Sequence, residues 1–544
     1  MKKSLKKLIA TVCSLCFVSS AFVACGVNPS GGKTEIDKTK TQLYIGNFDG
    51  GMGSRWLDEY KKGFEALYAN QSFEKDKMGV EVVVLNDKET YAATNLERSM
   101  NSSCAGINVF FSELVNYYKF VEEGLVMDIT STVTSTIPGE NKTIKDKLTE
   151  TQQGYYEIEG KYYGLPHYRS FRGIVYDKDL FNKKKLYIKA NGQVAGKEGD
   201  TDLSHGPDGQ PNTHDDGLPA TYDEFFSWCN TVKTSKNITP IIWNGANKES
   251  YTKHLLDALF ADASGATAGN AYYNVPETPT EFKVVTGFTG NTPNEQMLEI
   301  SRDNHKMTEQ IAGSYYSLEF LQRIISGNYY YSLSMNSTFS HEEAHYDFLH
   351  SRFDPEMQEI AMMVEGTWWE EEANGVFEGM SDYEGASRSE RNFGFLPLPK
   401  PNANYLGEPT LFDANQSILM INANCNEVKA DLAKKFIQYI STDANLQLFN
   451  TITGIGRDYT YTLTKDQQEG LTSFAKDIYN LTQSGGGIVY GYTTTLSNYT
   501  WDKTHVRNRY ASIIENTLYS EPIEAFNTSK TAKEYFEGII EKNR

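Results

Sequence analysis

The sequence predicts an α/β fold on a largely parallel sheet, and three stretches carry that expectation. Thr41 to Asn47 reads as a short strand, running into a glycine turn (Gly50, Gly51, Gly53) and then Trp56, Leu57, Tyr60, Phe64 and Leu67 at helical spacing. Val80 to Leu85 and Ile107 to Phe111 are β-branched or aromatic runs of strand length, each joined to helical segments by short polar connections. Strands alternating with helices imply parallel pairing through crossovers.

Later elements follow the same logic. Thr221-Tyr222-Asp223-Glu224 is a capping box, in which the Thr hydroxyl and Glu carboxylate satisfy exposed backbone donors, and Phe225, Cys229 and Val232 follow on one face. Asn426 to Phe449 is amphipathic, with Val428, Leu432, Phe436, Ile437 and Ile440 as its apolar stripe. No internal repeat of the solenoid type is apparent.

The N-terminus has the layout of a secretory signal, with Lys2, Lys3, Lys6 and Lys7 ahead of an apolar stretch from Leu8 to Val23. It ends in Phe22-Val23-Ala24-Cys25-Gly26, which resembles a bacterial lipobox with Phe22 where Leu is usual. Residues 1–24 are therefore expected to be removed and Cys25 to be acylated. The polar stretch to Lys40 is too poor in apolar residues to fold, and 25–40 reads as a lipidated tether. No later run approaches the roughly 18 apolar residues of a membrane-spanning helix. Cleavage leaves 520 residues, enough for two or more globular units.

Losing the signal lysines takes the formal charge from -19 to -23, which makes nucleic acid and anionic surfaces poor partners. Beyond the signal and anchor only Cys104, Cys229 and Cys425 remain, an odd and widely spaced set that predicts neither a disulfide framework nor a cysteine metal site.

Lys161 to Lys183, KYYGLPHYRSFRGIVYDKDLFNK, resembles the segment in which carbohydrate-specific extracellular solute-binding proteins pass from one lobe to the other. LPATYDEFFSWC from Leu218, AMMVEGTWW from Ala361, FGFLPLPKP from Phe393 and AKKFIQYISTDANLQLFNTITGIG from Ala433 agree in order, as does the opening block from Gly46. The resemblance to the maltose-binding-protein family covers 41 to about 460. It implies an α/β, two-lobe periplasmic-binding-protein-like fold with a hinge and an interlobe ligand cleft. Lobe 1 is expected over 41–165 and about 401–455, and lobe 2 over 166–400 and about 456–544, the tail packing on either. Lys183 to Pro219 and Ala261 to Ser340 look like expansions of the family pattern.

That resemblance implies an oligosaccharide ligand, delivery to ABC transporter permease subunits, and a monomer at the outer face of the cell membrane, attached through its lipid alone. Sugars need aromatic faces for their C–H surfaces and paired donors and acceptors for their hydroxyls. In the family the GTWW-like block puts a tryptophan at the cleft, which marks Trp368 and Trp369. A strand end marks Trp243 and Asn244, and the same reasoning marks Ser112 and Glu113 after Phe111 and Asn47 and Asp49 after the first strand. An N-cap role competes for Asp49. Tyr168, Arg169 and Ser170 stand where the family has polar sugar contacts, and Tyr176 reads as core.

His341-Glu342-Glu343-Ala344-His345 fits the H-E-x-x-H zinc-protease pattern, but Ser340 and Glu343 form a capping box and context suggests no third ligand, so the protease reading is set aside. Asp200 to Gly217 is a carboxylate-rich, glycine-containing loop that resembles calcium loops in ligand type. A solvated acidic loop is the favoured reading, and a structural calcium would fall to Asp208, Asp215 and Asp216. No cofactor is required. The rivals are an oligopeptide-binding lipoprotein, against which the GTWW and PLPKP blocks speak, and a surface glycosidase drawing on Glu365 and Glu370 to Glu372.

Overall fold

The computed structural model describes residues 36–414, 417–492, 495–504 and 522–544. The signal segment, Cys25 and most of the tether lie outside them. Among the described residues, no helix is long and apolar enough to cross a membrane. The chain forms two compact units: one takes in residues up to Tyr168, then 417–453 and Arg457–Thr462, and the other 169–414, Gly454–Gly456 and 463 onward.

The first unit is built on a five-stranded sheet in the order Val80–Asn86, Thr41–Asn47, Val109–Glu113, Ser417–Ile421, Gly164–Pro166. The first three strands are parallel, as the strand and helix alternation predicts. Ser417–Ile421 runs antiparallel to both its neighbours, so the sheet is mixed. That strand re-enters after the whole second-unit excursion, and no helical crossover dictates its direction. Helix Arg55–Leu67 buries Trp56, Leu57, Tyr60 and Phe64, whereas Leu67, placed on the same stripe by spacing, ends the helix 61% exposed. The amphipathic region near the C-terminus divides into helices Glu427–Ile440 and Asp443–Thr453, the first burying Leu432, Phe436, Ile437 and Ile440.

The second unit holds a four-stranded sheet in the order Thr239–Ile242, Ile360–Gly366, Arg172–Asp177, Phe393–Phe395. The first pair is parallel and the other two are antiparallel. Ile360–Gly366 is buried along its whole length, which its run of Ile, Ala, Met, Met and Val anticipates for an inner strand. Thr221 caps helix Tyr222–Ser235 by accepting the N–H of Glu224, while the Glu224 carboxylate takes the N–H of Ala220 at 2.8 Å, one residue earlier than a capping box predicts.

Both expansions fold into this unit. Lys248–Tyr273 breaks at Gly265, whose φ of +73° is one a side chain would resist, and the hairpin Thr280–Thr289/Thr292–Ile300 and the largely buried helix Ala312–Ser326 follow. In the tail, helix Ser473–Gln483 buries Phe474, Ile478 and Leu481, strand Ile488–Tyr490 pairs in parallel with Leu411–Asp413, and helix Ala532–Asn543 buries Phe536, Ile539 and Ile540.

Candidate functional site

In the first unit the register sets Asn47 against Asn86 on one side and Phe111 on the other. The carboxyl ends of three parallel strands therefore form one edge, the place where α/β sheets present ligand-binding groups. Asn47 donates from Nδ2 to Asn86 Oδ1 at 3.0 Å and reaches the Gly53 carbonyl at 3.4 Å. Glu113 accepts a hydrogen bond from the Tyr168 hydroxyl, which joins two residues that sequence reasoning selected separately. Ser112 Oγ is enclosed with no hydrogen-bond partner among the described residues. Burial raises the Asp49 carboxyl above its ordinary range, against a lowering hydrogen bond from Ser54. Asn86 was not foreseen; its signal is its position at the end of the neighbouring strand.

The second unit repeats the arrangement. Parallel pairing puts the residues after Ile242 and after Gly366 at one edge, and the antiparallel partner brings its start there, with Arg172 opposite Gly366. Trp243, Asn244, Thr367, Trp368, Arg169 and Ser170 thus belong to a single sheet edge. The Thr367 hydroxyl donates to the Arg169 carbonyl at 2.8 Å, and Ser170 donates to Asp413 at 2.9 Å. Trp368 meets His254 edge to face, with ring centroids 5.9 Å apart. Burial, with Arg172 nearby, pushes His254 well below its ordinary range and keeps it neutral. Arg172 pairs with Asp257 of helix Lys248–Tyr273 and lies over the Phe412 ring. His254, Asp257 and Tyr251 lie in a largely buried helix with no motif around them, so sequence reasoning missed them.

The three tryptophans differ. Trp368 is 7% exposed, whereas Trp243 and Trp369 are fully enclosed. Trp369 packs edge to face against Phe348, Phe377, Phe393 and Phe474, and Trp243 lies against Tyr330. Neither of those two rings has an open face on which a sugar could stack. Asn244 accepts the N–H of Asn247 at 3.0 Å and so shapes the turn after its strand. Tyr176 is core, as its sequence context indicates.

In the 200–217 loop the carboxylates turn onto the loop itself. Asp215 accepts the Asp208 N–H and the Thr213 hydroxyl, Asp208 accepts the Gln210 N–H, and Asp216 accepts the Asn212 N–H. Among the described residues these three do not converge as a metal-ligand group, which departs from the calcium arrangement. The loop's own hydrogen bonds hold it in the role that a cation would otherwise fill.

Residues 55–318 match the family model described as bacterial extracellular solute-binding protein. That stretch, just under half of the chain, is similar to extracellular solute-binding proteins. Solved structures agree on the fold: a chitin oligosaccharide binding protein (TM-score 0.55, 13% identity, covering 93% of this chain and 98% of that one), the solute-binding protein RafE in complex with raffinose (0.55, 13%, 92% and 98%), and a maltose-bound protein of T. maritima (0.53, 13%, 92% and 99%). No curated protein matches by sequence.

The carboxylates near the tryptophans are engaged by other side chains. Arg388 bonds Glu371 at 2.6 Å and Glu370 at 3.1 Å, Thr472 also donates to Glu370, and Glu365 is held by His345. Of the carboxylates that a glycosidase reading would enlist, Glu370 and Glu371 are paired with Arg388 and Glu365 with His345, while Glu372 lines a pocket.

Proposed function

We propose that this protein is the lipid-anchored receptor of an oligosaccharide importer, capturing its ligand outside the cytoplasm as a monomer and delivering it to ABC permease subunits. The observation that carries the reading is Trp368, an aromatic ring at a sheet edge beside Thr367, Arg169, Ser170 and His254. A flat apolar surface flanked by neutral and charged hydrogen-bonding groups is what a sugar ring requires. In the first unit Asn47, Ser112, Glu113 and Tyr168 supply acceptors and donors without an exposed aromatic ring, which suits hydroxyl recognition. The sugars named for the similar structures support an oligosaccharide over a peptide, and the lipobox-like stretch ending at Cys25, with the polar stretch after it, supports attachment at the outer face of the membrane.

A glycan array probed with the purified protein, followed by calorimetry on the best ligand, tests this. One or a few oligosaccharides should bind with micromolar or tighter affinity and be recovered intact after long incubation. Binding of oligopeptides with no glycan bound would replace the reading with the peptide-receptor alternative.

A further inference from the structure

Three residues from separate elements of the second unit meet at one point. His345 lies on helix His341–His350, which opens with the reciprocal Ser340/Glu343 cap, Glu365 is in strand Ile360–Gly366, and Glu372 closes the short helix Trp369–Glu372. His345 Nε2 is 3.1 Å from Glu365 Oε1, and one ligand atom from each of the three residues lies within 4.8 Å of the others. His345 and Glu365 are enclosed, while Glu372 is half-buried and lines an open pocket of about 850 Å³. Glu342, Glu343 and Asp382 line the same pocket, so four carboxylates surround the approach. Glu365 is oriented by its second oxygen, which accepts the Gly366 N–H at 3.0 Å.

We infer that His345, Glu365 and Glu372 form a binding site for a divalent transition metal of the zinc class, holding the helix, the strand end and the turn after Trp368 together. One imidazole and two carboxylates are the donor set of a three-ligand zinc site, which leaves positions open for water from the pocket. The imidazole disfavours calcium and magnesium, which take oxygen ligands. The support of Glu365 is the outer-shell contact such a site needs. His341 is not one of the three, so this is not the two-histidine protease arrangement, and a structural role follows.

The test uses protein purified without a histidine tag, stripped with a chelator and freed of it, then titrated with zinc sulfate by calorimetry with a parallel melting-temperature series. One zinc per chain should bind and raise the melting temperature by several degrees, while millimolar magnesium or calcium does neither. Glu372→Gln, at the half-buried position where the fold tolerates change, should weaken zinc at least tenfold, and His345→Gln should abolish the melting shift. The absence of zinc binding to the stripped wild type would overturn the inference, as would equal zinc affinity in Glu372→Gln and wild type, which would place the metal on other histidines.

Discussion

The Trp368 ring lies across Gly366, its Cζ3 and Cη2 atoms 2.3 Å from where a Cβ at position 366 would stand. The glycine is thus the reason the ring can fold back onto the strand end and present its remaining surface. Gly366→Ala should displace the ring while leaving the strand paired, because alanine fits extended backbone. We expect the oligosaccharide dissociation constant to rise about tenfold with the far-ultraviolet circular dichroism spectrum unchanged. An unchanged dissociation constant would mean that the ring's position does not matter to the ligand.

Trp368 and Trp369 are neighbours in sequence with opposite expected consequences. Trp368→Ala removes a stacking surface of roughly 1 to 2 kcal/mol and should weaken affinity about tenfold or more. Trp369→Ala opens a hole among Phe348, Phe377, Phe393 and Phe474 and should cost about 3 to 5 kcal/mol of folding stability, with affinity falling only through the unfolded fraction. Calorimetry and thermal unfolding on both variants separate the two effects. A Trp368→Ala protein of normal affinity and lowered melting temperature would move that ring into the core as well.

How much of this was legible follows from the kind of signal each residue gives. Periodicity located helix Arg55–Leu67 and its buried face, since Trp56, Tyr60 and Phe64 recur at helical spacing. It erred at Leu67, where the helix ends and apolar character no longer implies burial. Strand ends were readable, so Asn47 and Glu113 could be placed at a sheet edge, whereas Trp368 was marked through the resemblance of the GTWW block. The choice between adjacent tryptophans was not readable, because both are apolar and only the chain direction after Gly366 decides which ring is enclosed. Arg172, Asp257, His254 and the meeting of His345 with Glu365 depend on contacts across 20 to 85 positions, which no local pattern encodes.

Cys25 gives a prediction about location. Acyl chains on the mature N-terminus, and not the folded units, are expected to hold the protein at the membrane. Cys25→Ser should leave it exported but released into the medium, detected by fractionation and immunoblotting. Full membrane retention of the variant would refute the anchor.

The buried pair Arg172–Asp257 makes stability depend on pH in a defined window. Burial raises the Asp257 carboxyl to about 6 from its ordinary 3.8, the Arg172 guanidinium opposing the shift without cancelling it. Between about pH 4 and pH 6 the folded protein therefore holds the Asp257 proton while the unfolded chain has released it. With more protons bound in the folded state, stability falls as pH rises through that window, and the shift of roughly two units corresponds to about 3 kcal/mol in full. Below about pH 4 both states are protonated and the group has no effect. Asp257→Asn, whose neutral amide stands in for the protonated carboxyl, should be at least as stable as wild type at pH 7. Its stability should lack the slope due to Asp257, so wild type gains on the variant as pH is lowered from 6.5 to 4.5. The other buried carboxylates, Asp177, Asp262 and Asp477, act on both proteins alike and cancel in the difference. Urea unfolding at four pH values measures that difference directly, and wild-type stability that stays level or falls relative to the variant's toward acid would show that Asp257 is ionised throughout the range.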